Sequence, residues 1–208
     1  MRYVKVQDVP SPLQFRLSQL ALKYCTGEGI EIGASAHNRW GLENCINVSH
    51  YDDFEFYKTH QISDSGSYAD VDVWAEAWDL PFTDDSKDYI LSSHVVEHLP
   101  NPIAAFWEWT RVLKPDGIVY MAVPLRDAHP PDRLRFITPV EEIYQAYIDG
   151  ITPDTYTGPI NRHGHYYVWT LTSMLRLIDA AQLPWDIVET EKRDSKVGNS
   201  FTVVARKR

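Results

Sequence analysis

Basic residues are in the minority: 20 Lys and Arg face 29 Asp and Glu, a formal net charge of −9 over 208 residues. A chain with that field repels the phosphate backbone, so no nucleic-acid partner is expected. A neutral or cationic small molecule is accommodated more readily. The one basic cluster, Arg206-Lys207-Arg208, reads as a solvated tail. Cysteine is almost absent. Cys25 and Cys45, the only two, lack metal-ligand spacing and supply no disulfide framework, which implies a reducing, cytoplasmic setting. No run of about 18 apolar residues exists, so no membrane span is expected. The opening Met1-Arg2-Tyr3-Val4-Lys5 lacks the apolar core of a secretory signal. Also missing is a G-x-G-x-x-G run, the fingerprint of a dinucleotide site.

What is present points to one domain spanning 1–208. Hydrophobic residues make up 44% of the chain, with 7 Trp and 12 Tyr among them. Most of those aromatics belong in a core, and some can line a pocket. Leu13, Leu17, Leu20 and Leu22 give 11–23 the apolar side of a helix. Short strands are expected at 28–33, 45–49, 71–74, 89–93 and 118–123. The fourth is apolar nearly throughout, which suits a strand covered on both faces. A helix comes after it, with Asn101 as cap and Pro102 at the first helical position, where a missing N–H costs nothing. Ile103, Phe106, Trp107 and Leu113 form its expected buried stripe, and Lys114-Pro115-Asp116-Gly117 its stop.

Residues 125–169 break the alternation. They hold five prolines and one expected helix, with Thr138 as cap, Pro139 first and Glu141 closing a capping box. That is long for a plain connection, and it reads as a helical lid or substrate-binding insertion. A helix at 170–181 and strands at 186–190 and 201–205 complete the chain. Two strands so close in sequence pair antiparallel. The fold class is therefore α/β: a doubly wound, mostly parallel, seven-stranded Rossmann-like sheet with a terminal antiparallel hairpin.

Ligands of such sheets bind outside the carboxyl ends of the strands. Gly33 stands after the first strand and allows a tight turn and close approach of a cofactor; Ser35 and Asn38 stand where a dinucleotide site would have further glycines. Asp52 and Asp53 lie just past the second strand, where a carboxylate can accept both ribose hydroxyls. After the third comes Glu76-Ala77-Trp78. The acid can take an adenine amino group, the next amide can donate to the ring, and Trp78 can cover its face. His94 stands after the fourth strand at the mouth of the crevice. It is the best-placed general base, because imidazole titrates near neutral pH. His129, His163 and His165, all in the insertion, are rivals. Glu97 and His98 read as polar groups of the next turn.

The runs E-I-G-A-S-A-H-N (31–38), A-E-A-W-D-L-P-F (75–82), D-Y-I-L-S-S-H-V-V-E-H-L (88–99) and R-V-L-K-P-D-G (111–117) resemble the successive motifs of the class I methyltransferase family called type 11. The resemblance covers about Gly29 to Pro124. H-Y-Y-V-W-T (165–170) and K-V-G-N-S-F-T-V-V (196–204) look like a bacterial subgroup found among sugar- and glycan-modifying enzymes. The resemblance implies S-adenosyl-L-methionine as cofactor. Glu31, Gly33, Ala34 and Ser35 would hold its methionine end, Glu76 and Ala77 its adenine, and Ser93 and His94 would face cofactor or acceptor. Two departures stand out: Ser49 occupies the place of the usual ribose-binding acid, and Glu76 replaces the commoner Asp. Asp52 or Asp53 can take the ribose role instead.

The expected reaction is methyl transfer to a small molecule, a hydroxyl of a sugar or related compound. His94 or His165 would be the base, and His129, His163 and Tyr166 would contact the acceptor. No metal site is predicted. His163 and His165, with Asp127, His129 or Asp132, are the candidates for a divalent cation, though magnesium prefers oxygen ligands. A nicotinamide-dependent oxidoreductase and a non-catalytic cofactor-binding protein are the alternatives. The absent glycines and the terminal hairpin oppose the first; the loss of an acid at Ser49 leaves the second open. Oligomeric state stays open.

Overall fold

A computed structural model describes residues 3–5, 17–35, 40–50, 58–59, 61–63 and 66–208. Asn38, Asp52, Asp53 and positions 11–16 of the first expected helix lie outside these residues.

The strands are β1 (Tyr3–Lys5), β2 (Gly29–Ile32), β3 (Cys45–Ser49), β4 (Ser67–Ala69), β5 (Val73–Trp74), β6 (Lys87–Ser93), β7 (Leu113–Pro124), β8 (Trp185–Glu191) and β9 (Ser200–Lys207). The helices are α1 (Gln19–Tyr24), α2 (Pro102–Val112), α3 (Val140–Ile148) and α4 (Leu171–Ala180). Seven strands form one sheet in the order β5-β3-β2-β6-β7-β9-β8; β1 and β4 make a separate antiparallel ribbon. From β5 to β7 all neighbours are parallel. β9 runs antiparallel to both β7 and β8. The expected α/β sheet, with one reversed strand beside the edge, is the observed one.

Side chains alternate across this sheet with the period of two that a pleated strand imposes. Along β7, Val119, Met121 and Val123 enter one core, packed by α2, α3 and α4, while Ile118, Tyr120 and Ala122 enter the other, beneath α1. In β6, Ile90 joins the first core and Tyr89 and Leu91 the second. A strand covered on both faces needs apolar residues at successive positions, and 89–91 supplies them.

α2 begins as expected: the Asn101 side chain accepts from Ala104 N at 3.1 Å and Pro102 opens the helix. Its buried stripe differs. Ile103 and Phe106 are buried, but Trp109 takes the inner position and Trp107 is 38% exposed. Leu113 and the run 114–117 belong to β7, because Leu113 pairs with Lys87 of β6 before the register shifts. The expected capping box of α3 does not form. Thr138 Oγ1 accepts from Val168 N at 3.0 Å, and Pro139 precedes the helix with no side-chain cap. α4 carries its own box instead, Thr170 with Ser173.

The insertion 125–169 holds α3 and a 3₁₀ turn at Arg126–Ala128. Its far end is built into the body of the protein: Tyr167 donates to Pro100 O at 2.7 Å, and Trp169 is buried. No helix among the described residues is long and apolar enough to cross a membrane.

Candidate active site

β2 ends at Gly33, whose backbone sits at φ +73°. A Cβ there would lie 2.5 Å from Val95 Cγ2, so only glycine fits this turn without displacement. Its N–H is fixed by Val48 O at 2.9 Å. β3 ends at buried Ser49, whose carbonyl accepts from Ala75 N at 2.9 Å. The chain then turns tightly, with Asp79 N donating to Glu76 O at 3.1 Å.

Helix α2 holds that turn from below. Trp109 Nε1 donates to Ala77 O at 2.9 Å, and Leu80 N donates to Glu108 Oε1 at 2.8 Å. Arg111 donates to Phe82 O at 2.8 Å and Leu80 O at 3.1 Å while pairing with Glu108 at 2.6 Å. The Ala77 N–H and the Glu76 carboxylate are left without a partner among the described residues, as a site that recognises a base edge requires.

These turns border one cavity of about 570 Å³ at the carboxyl ends of the parallel strands, a volume typical of small-ligand sites. Gly33, Ala34, Ser35, Ser49, Glu76, Ala77, Trp78, His94, His163 and Tyr166 line it, as do His50, Gln61, His98 and Gly164, which the sequence did not single out as wall residues. Glu31, Ser93, His129 and His165 are not on the wall. The fit to an adenosyl cofactor is good: a glycine-only turn at one end and an unpaired acid–amide pair at the other.

His94 leaves β6 at φ +55°, a left-handed conformation uncommon outside glycine and enriched at functional positions. Its Nε2 lies 2.7 Å from Ser200 Oγ and 3.2 Å from Asn199 Oδ1. The Ser200 hydroxyl already donates to Asn199 Oδ1 at 3.1 Å, so Nε2 is the protonated nitrogen and Nδ1 carries the lone pair. Burial, against the opposing pull of Asn199, brings the imidazole down to about 4, so it is neutral at pH 7. Residues 194–200 hold these partners rigidly. Asp194 accepts the backbone N–H of Lys196, Val197, Gly198 and Ser200 at 2.6–3.1 Å. Nearby Lys196 is fully buried over the Trp40 ring, and burial lowers it to about 8 despite the charges of Glu31 and Asp194.

Glu97 lies in the 3₁₀ turn Val96–His98, wholly buried, and burial pushes its carboxyl up to about 8. His165 is buried with Nδ1 2.5 Å from Asp132 Oδ2. Burial raises the Asp132 carboxyl, but hydrogen bonds from Arg135 and His165 outweigh it and hold it ionised. The Glu97-His98 pair could have been noticed as an acid–imidazole dipeptide one turn past a strand end; nothing local announces that His165 joins it.

Comparison with known proteins bears on this geometry. Residues 27–121 match the family described as a methyltransferase domain. That stretch, a little under half of the chain, is similar to methyltransferase domains of the type 11 family. An uncharacterized methyltransferase of Mycobacterium tuberculosis is 48% identical over 50 residues, 24% of this chain and 20% of that protein. One from Mycobacterium avium is 40% identical over 60 residues, 29% of this chain and 22% of that protein. The chain thus spans about a fifth of the length of the curated relatives it matches. Solved structures share the fold over nearly the whole chain. A SAM-dependent methyltransferase from Aquifex aeolicus superposes with TM-score 0.55 at 14% identity, covering 98% of this chain and 97% of that one. Another from Methanosarcina mazei gives 0.54 at 16%, covering 93% and 99%. The fold shared with these structures therefore extends past residue 121 to include the reversed strand β9.

Proposed function

We propose that the protein moves a methyl group from S-adenosylmethionine to a hydroxyl of a small acceptor, a sugar or glycan precursor, in a reducing cytosol that suits its two free thiols. The observation that carries this reading is one cavity joining the Gly33 turn, the Glu76-Ala77 edge and His94. The cofactor, when bound, supplies a methyl on a sulfonium whose departure as a neutral thioether needs no acid. Gly33, Ala34 and Ser35 give backbone room beside its methionine end. The Glu76 carboxylate would accept the adenine amino group, the Ala77 N–H would donate to the ring, and Trp78 would cover it.

The remaining task of the protein is to align the acceptor, exclude water and remove one proton. His94 performs the last. Transfer would form an oxygen–carbon bond on the acceptor as the carbon–sulfur bond breaks, and His94 Nδ1 would take the hydroxyl proton. His94 is preferred to His165 because it lines the cavity, whereas Asp132 occupies His165 Nδ1 away from the wall. His163 and Tyr166, on the same wall, offer the ring faces and polar edges that suit a sugar.

Calorimetric titration with S-adenosylmethionine, S-adenosylhomocysteine and NAD tests the reading. Micromolar binding of the first two without NAD is expected; NAD binding alone would sink it. With an acceptor in hand, His94→Ala lowers turnover by about 10²–10⁴-fold, the range of a placed base, at unchanged cofactor affinity. Full turnover in that variant removes His94 as the base.

A further inference from the structure

Beside His94, and meeting it through Glu97, stands a second group of polar side chains to which the proposed transfer gives no role of its own. The Glu97 side chain is 1% exposed; His94 Nδ1 stands 3.5 Å from its Oε1, and among the described residues neither carboxylate oxygen has a hydrogen-bond partner. A buried acid left unbonded is costly, and it persists where another group completes it. His98 Nε2 lies 3.9 Å from Glu97 Oε1. The His165 ring meets the His98 ring edge-on, with centroids 4.8 Å apart. One ligating atom from each of Glu97, His98 and His165 falls within 4.8 Å of the others.

The far nitrogens of both imidazoles are accounted for. His165 Nδ1 is held at 2.5 Å by Asp132 Oδ2, while the other oxygen of Asp132 takes Arg135 Nη1 at 3.0 Å and Asn161 Nδ2 at 2.8 Å. That network sets the His165 tautomer and turns Nε2 into a lone-pair donor. His98 Nδ1 faces Gly164, whose backbone shares a hydrogen bond with the ring, which leaves Nε2 toward Glu97. A carboxylate orienting a histidine through its outer nitrogen is what ligating histidines usually have.

We propose that Glu97, His98 and His165 bind one divalent transition-metal ion, with Asp132 positioning His165. Two imidazoles and one carboxylate suit zinc, manganese, iron(II) or cobalt; magnesium and calcium take oxygen sets. Ligation at about 2.0–2.2 Å draws the three atoms closer together. The His98 side chain, 40% exposed, has the freedom to close that gap and marks the entry path. Because His98 lines the cavity, the open coordination position faces it. Resting on the methyl-transfer reading, that position takes an oxygen of the acceptor, which favours acceptors with neighbouring hydroxyls that chelate the ion.

The test uses the full chain stripped by chelator, with Co(II) as the optical probe and Zn(II) as competitor. One Co(II) per chain is expected, with visible ligand-field bands that Zn(II) abolishes. Glu97→Gln and His98→Gln remove the bands and weaken binding more than 100-fold. Asp132→Asn keeps the bands and weakens binding by about 10–100-fold, the effect of losing an outer-shell partner. No stoichiometric binding below millimolar Co(II), or binding unchanged in both ligand variants, overturns the site. His98→Gln alters a partly exposed side chain, so it decides the question even where Glu97→Gln fails to fold. S-adenosylhomocysteine titration of the same samples separates the two claims. Cofactor binding without Co(II) binding defeats the metal site alone, and the converse defeats the methyl-transfer reading alone.

Discussion

Replacing Gly33 with alanine perturbs the site at its narrowest point, and its cost divides into two parts. Holding a non-glycine residue in the left-handed region at φ +73° costs about 1–2 kcal/mol. A Cβ 2.5 Å from Val95 Cγ2 adds an overpacking cost of about 1–3 kcal/mol. Together they amount to roughly 2–5 kcal/mol, or a drop in Tm of about 4–20 °C for a chain of this size. The two parts are separable. Val95→Ala removes the methyl that the new Cβ meets but leaves the backbone strain. A double-mutant cycle on Gly33→Ala and Val95→Ala, read by thermal and urea unfolding, is therefore expected to show a favourable coupling of about 1–3 kcal/mol. The backbone part, about 1–2 kcal/mol, survives in the double variant. Cofactor affinity falls in Gly33→Ala and recovers only partly with Val95→Ala. A stability change within about 0.5 kcal/mol for Gly33→Ala, the range of ordinary surface substitutions, would refute the reasoning, as would zero coupling.

Other outcomes rest on the same contacts. Arg111→Ala frees the carbonyls of Leu80 and Phe82 and unpairs Glu108, so it is expected to destabilise by about 1.5–3 kcal/mol and to weaken S-adenosylhomocysteine binding by loosening the 76–82 turn, measured by unfolding and calorimetry. Asp194→Ala strands four backbone N–H groups and releases Asn199 and Ser200; turnover is expected to fall toward that of His94→Ala while cofactor affinity is kept. Burial pushes the Cys45 thiol up to about 12 and Cys25 still higher. At pH 8 neither is expected to react with iodoacetamide in the folded protein, and both react in urea. The linkage has a definite sign: unfolded thiols ionise near pH 8.5, so stability is full below that pH and declines as pH rises toward 12. A pH-independent denaturation midpoint between 8 and 10 would contradict this.

Much of this architecture is legible in the sequence alone, because its determinants are local. Asn101-Pro102 starts a helix by its own chemistry, and three successive apolar residues at 89–91 suit a strand covered on both faces. The cavity residues are found by looking just past the carboxyl end of each strand, a rule of topology and not of any one side chain. The failures share a cause: a distant partner outbids the local signal. Thr138 has the spacing of a capping box, yet its hydroxyl goes to Val168 N, thirty residues on. Lys114 to Gly117 reads as a turn, but it continues a strand because β6 offers Lys87 as a partner for Leu113. Trp107 and Trp109 are equally apolar on paper; Trp109 faces inward because Ala77 O accepts its indole N–H. The Glu97-His98-His165 group was invisible for the same reason, since residues 125–169 must fold back over the sheet before His165 arrives.

The reversed strand makes the setting of His94 depend on a segment far along the sequence. β9 follows every other described strand in sequence, yet it lies inside the sheet between β7 and β8 and carries Ser200, the residue that fixes the His94 tautomer. A polypeptide halted before residue 200 would already hold every turn of the cofactor cleft. His94 would be unoriented, and the long edge of β7 would stand bare. Such an intermediate is primed to collect ligand, and to aggregate, before it can turn over. The order of the described elements thus sets an order of assembly: the turns around the cavity precede the strand that orients His94.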